Sequence, residues 1–219
     1  MLRRLLLATL ACAVGLVTAR AETDTYGLKE FRIGLLGGEN TQDRLARYGK
    51  FQQLLQDRLG VPVKLFPAAD YAGVMQGIAA GQLDMTSFGA SSFAGAWLDC
   101  HCVAPIVVRK EEDGTTYYHS AMVVRADSGI TSLKDMRGRS LAFADPNSTS
   151  GFLIPSASLR AQGVKLEDGA YFSRVGFSGG HEQGVVAVLN RQYDAAVTST
   201  IRRRATAAAT SARWWTGIC

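Results

Sequence analysis

The chain contains little proline and cysteine, with five prolines and four cysteines among 219 residues. Collagen needs far more proline, and a disulfide-stapled scaffold needs more cysteine. Outside one N-terminal segment no long apolar run occurs, which excludes a protein with several membrane spans. Apolar residues make up 47% and charged residues 20%, as in an ordinary globular protein. The length suffices for one large domain or two small ones.

The N-terminal segment has the three parts of a secretory signal peptide. Two arginines open it, residues 5–17 are apolar but short for a membrane span, and a small-x-small cleavage site ends at Ala21. We therefore predict a signal peptide over residues 1–21. A membrane anchor and a lipid anchor at Cys12 are the alternatives.

The formal charge of +5 lies at the two ends of the chain. Residues 1–21 hold three arginines and residues 201–219 hold four, without any acid in either segment, so that residues 22–200 carry a formal charge of −2. Nucleic-acid binding depends on clustered Lys and Arg. The mildly acidic body therefore predicts no nucleic-acid partner.

The cysteines most suggestive of chemistry are Cys100 and Cys102, which flank His101. No second pair of ligands follows at a spacing suited to a metal site. We expect no metal and no cofactor. A disulfide between the two cysteines and a pair of reduced thiols both remain open.

Strand-like and helix-like segments alternate through the body, which predicts an α/β fold with right-handed crossovers. Period-two and period-3.6 patterns give the following segments. Strands are predicted at 31–36, 61–66, 83–88, 103–108, 117–125, 140–144, 170–177 and 194–198, and helices at 43–59, after Asp70, and at 91–98, 132–137, 150–162 and 182–191. We predict two lobes, 22–120 and 121–200, with the chain crossing between them near residues 117–124.

Three turns that follow strands and open helices carry candidate functional residues. Ser148, Thr149 and Ser150 place three hydroxyls at a helix N-terminus, where free amides and the helix dipole favour an anion. His181 follows two glycines at a second helix start, and Tyr71 opens a third. Ligands of open α/β sheets bind beyond the carboxyl ends of strands, so the three turns together predict a site for a tetrahedral oxyanion. Plain helix capping and core packing are the alternatives.

Four segments resemble a known family: DYAGVMQGIAAGQLDMTSFG, TTYYHSAMVVRADSGI, DPNSTSGFLIPS and GGHEQGVVAVLNRQYDAAV. They closely resemble the phosphate-, phosphite- and phosphonate-binding proteins of bacterial ABC transporters, from about Phe31 to about Thr198. The resemblance implies a type II periplasmic binding protein, a two-lobe clamshell that closes on its ligand by hinge motion. It further implies a periplasmic monomer that delivers a phosphorus oxyanion to a membrane permease.

The resemblance also implies roles for individual residues. Hydroxyls and amides of the 148–150 turn would hold the phosphonyl group, and His181 would add a donor. Tyr71 from the first lobe and Tyr117 at the hinge would close over the ligand. Some family members grip an alkylamine with acidic residues. This chain lacks the acid near Ile201, so recognition of an aminoalkyl phosphonate is not implied.

The main alternative function is a phosphoester hydrolase that uses a serine of the 148–150 turn with His181 as base. The sequence shows no third orienting group, and GASSFAG at 89–95 is not a nucleophile elbow. A sensor-type binding lobe and a non-functional truncated binding protein are further alternatives.

Residues 201–219 differ from the rest in having no acid and a cluster of alanine and threonine. Tryptophan has a single codon, TGG, so Trp214 and Trp215 fix six bases of the coding DNA. Read in another frame, with synonymous codons chosen for the neighbouring residues, this stretch can encode a sequence that looks like the family's continuation. We therefore expect a frameshift near Thr200, a disordered tail and an incomplete clamshell. Unpaired sheet edge and exposed apolar surface would then follow, with low stability and weak or absent ligand binding. A naturally short variant is the alternative.

Overall fold

The computed structural model describes residues 27–111, 114–200 and 212–218 of the chain. Within them lie five α-helices and eight strands, and the strands form two sheets. In the first half lie β1 (Phe31–Leu35), α1 (Thr41–Leu59), β2 (Val63–Pro67), α2 (Tyr71–Ala79), β3 (Met85–Thr86) and α3 (Ala90–Cys100). In the second lie β4 (His119–Arg125), β5 (Ser140–Phe143), α4 (Ile154–Ala161), β6 (Arg174–Phe177), α5 (His181–Leu189), β7 (Ala195–Thr200) and β8 (Ala212–Ile218).

The part from β1 to α3, which we call lobe I, contains a parallel sheet in the order β2-β1-β3. Helix α1 links β1 to β2. Asn40 caps its start, and Gly60, with φ of 69°, ends it in the left-handed conformation. The apolar residues of α1 pack on β1 and β2 at the spacing predicted from the sequence. They are Leu45, Tyr48, Phe51, Leu55 and Leu59.

The part from β4 to β8, which we call lobe II, contains a five-stranded sheet in the order β6-β5-β7-β4-β8. Strand β5 runs parallel to β6 and β7, whereas β4 runs antiparallel to β7 and β8. Its main core lies between the sheet and α4. It includes Met122, Leu141, Phe143, Leu159 and Phe172, all of them buried.

The largest differences between the prediction and the structure lie at residues 103–108 and in the tail. The strand predicted at 103–108 is absent, and Ile106, Val107 and Val108 are 67–79% exposed, because no strand in the described residues pairs with this segment. The tail was predicted to be disordered, but residues 212–218 form β8 and pair with β4 in the register Met122↔Trp215. The edge of β4 that faces away from β7 offers this strand its backbone hydrogen bonds.

Some predictions fall outside what the structure describes. The signal peptide at 1–21 and residues 201–211 of the tail lie outside the described residues. The predicted lobe limits, 22–120 and 121–200, stay predictions. Of the helices in the described ranges, none is both long and apolar enough to cross a membrane.

The cysteine alternatives are resolved by a disulfide. Cys100 and Cys102 are bonded, with an S–S distance of 2.13 Å. The intervening His101 adopts a left-handed conformation, and its ring lies 4.4 Å from that of Trp97. Among the described residues no group of three or more His, Cys, Asp and Glu side chains could hold a metal ion.

Candidate functional site

The turn after β5 is organised by Asp145, whose side chain is 3% exposed. Its Oδ1 accepts a hydrogen bond from the amide of Asn147 at 2.7 Å, and its carbonyl accepts one from the amide of Ser148 at 2.9 Å. This self-bonding of an aspartate is typical of tight turns. It delivers Ser148, which is also buried, to the start of the following helical segment.

That segment begins with a π-helical turn at Thr149–Leu153, where an ordinary helix was predicted. Pro155 explains the difference, because it lacks the N–H that would bond to the carbonyl of Gly151 in an α-helix. The Gly151 carbonyl instead accepts from the amide of Ala144 at 3.1 Å. A Cβ at Gly151 would lie 2.5 Å from the Cβ of Ala144 and 2.7 Å from Ser148 Oγ. Glycine is therefore required for the tight turn around Ser148.

His181 meets Ser148 from the N-terminus of α5. Its Nε2 lies 3.3 Å from Ser148 Oγ, which also accepts from the amide of Gly151 at 3.0 Å. Burial lowers the pKa of His181 below its ordinary value, and the nearby carboxylates of Glu39 and Asp145 oppose this shift. The imidazole is therefore neutral near pH 7.

Tyr71 brings lobe I to the same serine. It is the first residue of α2, it is 9% exposed, and its phenol interacts with the side chain of Ser148. Burial raises the pKa of this phenol above its ordinary value, while the bond to Ser148 opposes the rise. Its amide donates to Asp145 Oδ2 at 3.3 Å. Tyr71, Ser148 and His181 therefore form one cluster that bridges the two lobes.

Thr149 and Ser150 are buried beside this cluster. The Oγ1 of Thr149 accepts from the amide of Ser91 in α3 at 2.8 Å, which leaves the hydroxyl proton of Thr149 for another acceptor. The carbonyl of Ser150 accepts from Ser120 Oγ at 2.7 Å. Strand β4 therefore holds the turn in place from beneath.

Tyr117 is not brought to this cluster. It is 52% exposed, and its ring contacts His119 with centroids 5.7 Å apart. The next residue, Tyr118, is near the cluster: a Cβ at Gly89 would lie 3.5 Å from its hydroxyl and 2.8 Å from Thr149 Oγ1. Because side chains alternate across a strand, Tyr118 lies on the same side as Ser120, which bonds to the turn, and Tyr117 lies on the opposite side. This alternation is the signal in the sequence that could have distinguished Tyr118 from Tyr117.

Arg44 supports the lobe I side of the site from within α1. It is 5% exposed, and its Nη1 donates to the carbonyls of Leu35, Leu36 and Ala68. These carbonyls end β1 and β2, just before the turns that carry Gly38 and Tyr71. One guanidinium thus joins the two turns of lobe I that reach the cluster.

The cluster can donate several hydrogen bonds to one anion. Hydroxyls of Tyr71 and Ser148, an imidazole and the first turns of two helical segments converge there, and helix N-termini favour negative charge. The charged groups that perturb Tyr71 and His181 are the carboxylates of Glu39 and Asp145. The groups that the described part of the chain assembles at this cluster are therefore oriented dipoles.

Comparison with known proteins gives the relatives of this chain. A family model described as the periplasmic substrate-binding protein of phosphonate ABC transporters matches residues 33–213. The phosphate-import protein PhnD of Mycolicibacterium smegmatis is 33% identical over 204 residues, covering 86% of this chain and 63% of that protein. The phosphonates-binding periplasmic protein of Escherichia coli is 33% identical over 177 residues, covering 78% and 51%.

Two solved structures are also similar to this chain. A binding protein component of an ABC phosphonate transporter from Pseudomonas aeruginosa superposes with a TM-score of 0.69 at 27% identity, covering 78% of this chain and 57% of that one. PhnD1 from Prochlorococcus marinus, in complex with methylphosphonate, gives 0.68 at 26%, covering 78% and 63%. The chain thus spans between 51% and 63% of the length of these relatives. Over that share it has the type II periplasmic binding-protein fold, and it belongs to the family of periplasmic substrate-binding proteins of phosphonate ABC transporters.

Proposed function

We propose that the chain binds a small phosphorus oxyanion, namely phosphonate, phosphite or phosphate, between its two lobes in the periplasm and delivers it to an ABC permease. The observation that carries the proposal is the cluster in which Tyr71 of lobe I meets Ser148 and His181 of lobe II. A ligand at this point touches both lobes, so its binding stabilises the closed arrangement.

The proposed donors are hydroxyls and amides of Ser148, Thr149 and Ser150, the phenol of Tyr71 and the imidazole of His181. Tyr118 takes the place that the sequence assigned to Tyr117, because Tyr118 is near Thr149 and Tyr117 is exposed. Buried donors that are fixed before binding lose little entropy on meeting the ligand, and hydrogen bonds to a charged oxygen are the stronger ones.

A hydrolase is less well supported than a binding protein. The contact between Ser148 and His181 is the kind that activates a nucleophile. Such a base also needs a group that orients it. Among the described residues, however, no carboxylate or other side chain accepts a hydrogen bond from Nδ1 of His181, and the backbone of Val197 is the other group that bonds to this ring. The relatives named above are transport binding proteins.

The experiment is an NMR titration of the chain with methylphosphonate, phosphite and phosphate, with planar nitrate as the control anion. NMR also detects millimolar affinity, which the expected weak binding requires. We expect saturable shifts near Ser148 and His181 for the phosphorus oxyanions only. Ser148→Ala should weaken binding about ten- to hundredfold, while Ser173→Ala, an exposed serine of lobe II, should leave it unchanged.

Absence of saturable binding of all three anions would contradict the proposal. Turnover of a phosphomonoester such as p-nitrophenyl phosphate that is lost in Ser148→Ala would instead establish the hydrolase.

A further inference from the structure

The N-termini of all three helices of lobe I face lobe II. Asn40 is the N-cap of α1, Tyr71 is the first residue of α2, and Ser91 is the second residue of α3. A helix offers no acceptor to the amides at its start. Each of these three amides donates to a side-chain oxygen of lobe II.

Helix α3 lacks a capping side chain of its own. Its N-cap is Gly89, and no side-chain cap bond forms within lobe I. An N-cap side chain would normally accept from the amide of the second or third helical residue. Here Thr149 Oγ1 accepts from the second one, Ser91, at 2.8 Å. A Cβ at position 89 would lie only 2.8 Å from the same oxygen, so glycine leaves room for Thr149 to act as the cap.

Helix α1 has an internal cap that is completed from lobe II. The side chain of Asn40 accepts from the amides of Gln42 and Asp43. In a capping box, an acidic side chain at the third helical position also accepts a hydrogen bond from the amide of the N-cap residue. In this chain the amide of Asn40 donates to Glu182 Oε2 of α5 at 2.7 Å. Glu182 thus supplies the second half of the capping box.

Helix α2 likewise has one capping bond within lobe I and one from lobe II. Asp70 caps the amide of Gly73 within lobe I at 2.8 Å, and the amide of Tyr71 donates to the buried Asp145 Oδ2 at 3.3 Å. The N-termini of α1 and α2 therefore each donate a hydrogen bond to a carboxylate of lobe II. Negative charge at a helix N-terminus is favourable, so these bonds are stronger than contacts between neutral groups.

A backbone contact fixes the distance between the lobes at this seam. Gly38 of lobe I and Gly180 of lobe II are both buried. A Cβ at Gly38 would lie 2.6 Å from the Cα of Gly180, and a Cβ at Gly180 would collide with Gly38. The two main chains therefore meet directly, one residue before His181.

We infer that lobe II supplies N-terminal caps to all three helices of lobe I, so that closing the lobes and capping these helices are one event. Thr149, Asp145 and Glu182 are then positioning residues that hold the closed geometry. The inference does not depend on the identity of the ligand, because the capping bonds join protein to protein. It makes the closed arrangement a populated state of the chain without ligand.

The test is amide hydrogen exchange of the ligand-free full chain, followed by NMR at Asn40, Tyr71 and Ser91. Thr149→Val keeps the shape of the side chain and removes the acceptor. We expect exchange at Ser91 to accelerate about two- to thirtyfold, the range for losing one N-cap. Because closure is shared, exchange at Asn40 and Tyr71 should accelerate as well. Thr149→Ser keeps the hydroxyl and should retain protection at all three amides.

A second substitution is made at Glu182, because this residue is exposed and its replacement should not unfold the chain. Glu182→Ala should accelerate exchange at Asn40 and, through opening, at Ser91. Glu182→Gln keeps an acceptor oxygen and should change both less. Glu167→Ala removes another exposed acid of lobe II and should change neither. The amide of Leu141, in the core of lobe II, serves as the internal reference.

Two results would overturn the inference. One is an amide of Ser91 that exchanges without protection in the unsubstituted chain. The other is a purely local response, in which Thr149→Val affects Ser91 alone and Glu182→Ala affects Asn40 alone.

Discussion

Lobe II builds a core of its own, whereas lobe I does so only in part. In the described residues the main cluster of lobe II has eleven buried apolar side chains, and that of lobe I has three. Burial of apolar area is the main source of stability. Lobe II should therefore fold with little help, and lobe I should depend on its contacts with lobe II.

The largest expected effect is in the core of lobe II. Phe143 is 1% exposed, and its ring contacts those of Phe152 and Phe177 with centroids 5.2 and 6.1 Å apart. Phe143→Ala should lower the free energy of unfolding by about 3–5 kcal/mol, because it leaves a cavity among closely packed side chains. Urea denaturation followed by far-UV circular dichroism measures the loss.

The matched control lies in lobe I. Phe66 on β2 is 42% exposed, so Phe66→Ala should cost well under half as much. An equal loss at Phe66 and Phe143 would mean that the two lobes do not differ in the way that their cores suggest.

A smaller effect is expected from a substitution of Arg44, a buried residue of lobe I. Arg44→Met keeps the apolar stem of the side chain and removes the donors to the carbonyls of Leu35, Leu36 and Ala68. Leaving such carbonyls without a donor costs about 1–3 kcal/mol. We expect hydrogen exchange to accelerate in β1 and β2 and to stay unchanged in β5.

Arg47→Met is the control for Arg44. Arg47 lies one turn away on α1, and its side chain is 61% exposed and pairs with Glu39. Surface ion pairs contribute little, so the exchange rates of β1 and β2 should hardly change. Equal acceleration in β5 for Arg44→Met would show that lobe I has no separate stability.

Much of the fold could be predicted from the sequence, because its signals are local. The helical spacing from Leu45 to Leu59 and the cap at Gly60 identify α1 directly. The segment at 103–108 could not be assigned this way, since its alternation is that of a strand but pairing depends on a distant partner. The same limit applies to β8, which the composition of the tail gave no reason to expect.

The structure brings three of the predicted site residues together, but the bonds that join them to the other lobe could not be predicted. Turns after strands identified Ser148, His181 and Tyr71, because strand ends gather at one edge of a sheet. The role of Thr149 as a cap for Ser91 joins residues 58 positions apart. Such a bond follows from how the lobes meet, and no local pattern records it.

The smallest expected effect tests the place where the lobes meet. Burial lowers the pKa of His181 in the folded chain, so the unfolded chain, with an ordinary pKa of about 6.5, binds the proton more readily. Stability is then complete above about pH 6.5 and falls as the pH drops below it. The urea midpoint should therefore decrease between about pH 8 and about pH 5.5, and His181→Gln should decrease less.

His101→Asn, at an exposed left-handed position that asparagine tolerates, should keep the full decrease of the unsubstituted chain. We expect the burial of His181 to depend on lobe I, since the backbone of Gly38 contacts that of Gly180 immediately before it. A substitution that separates the lobes, such as Gly180→Ala, should therefore expose His181 and reduce the pH dependence even though the imidazole is still present. If Gly180→Ala keeps the full pH dependence, His181 is buried by lobe II alone, and the lobes are less dependent on one another than their unequal cores imply.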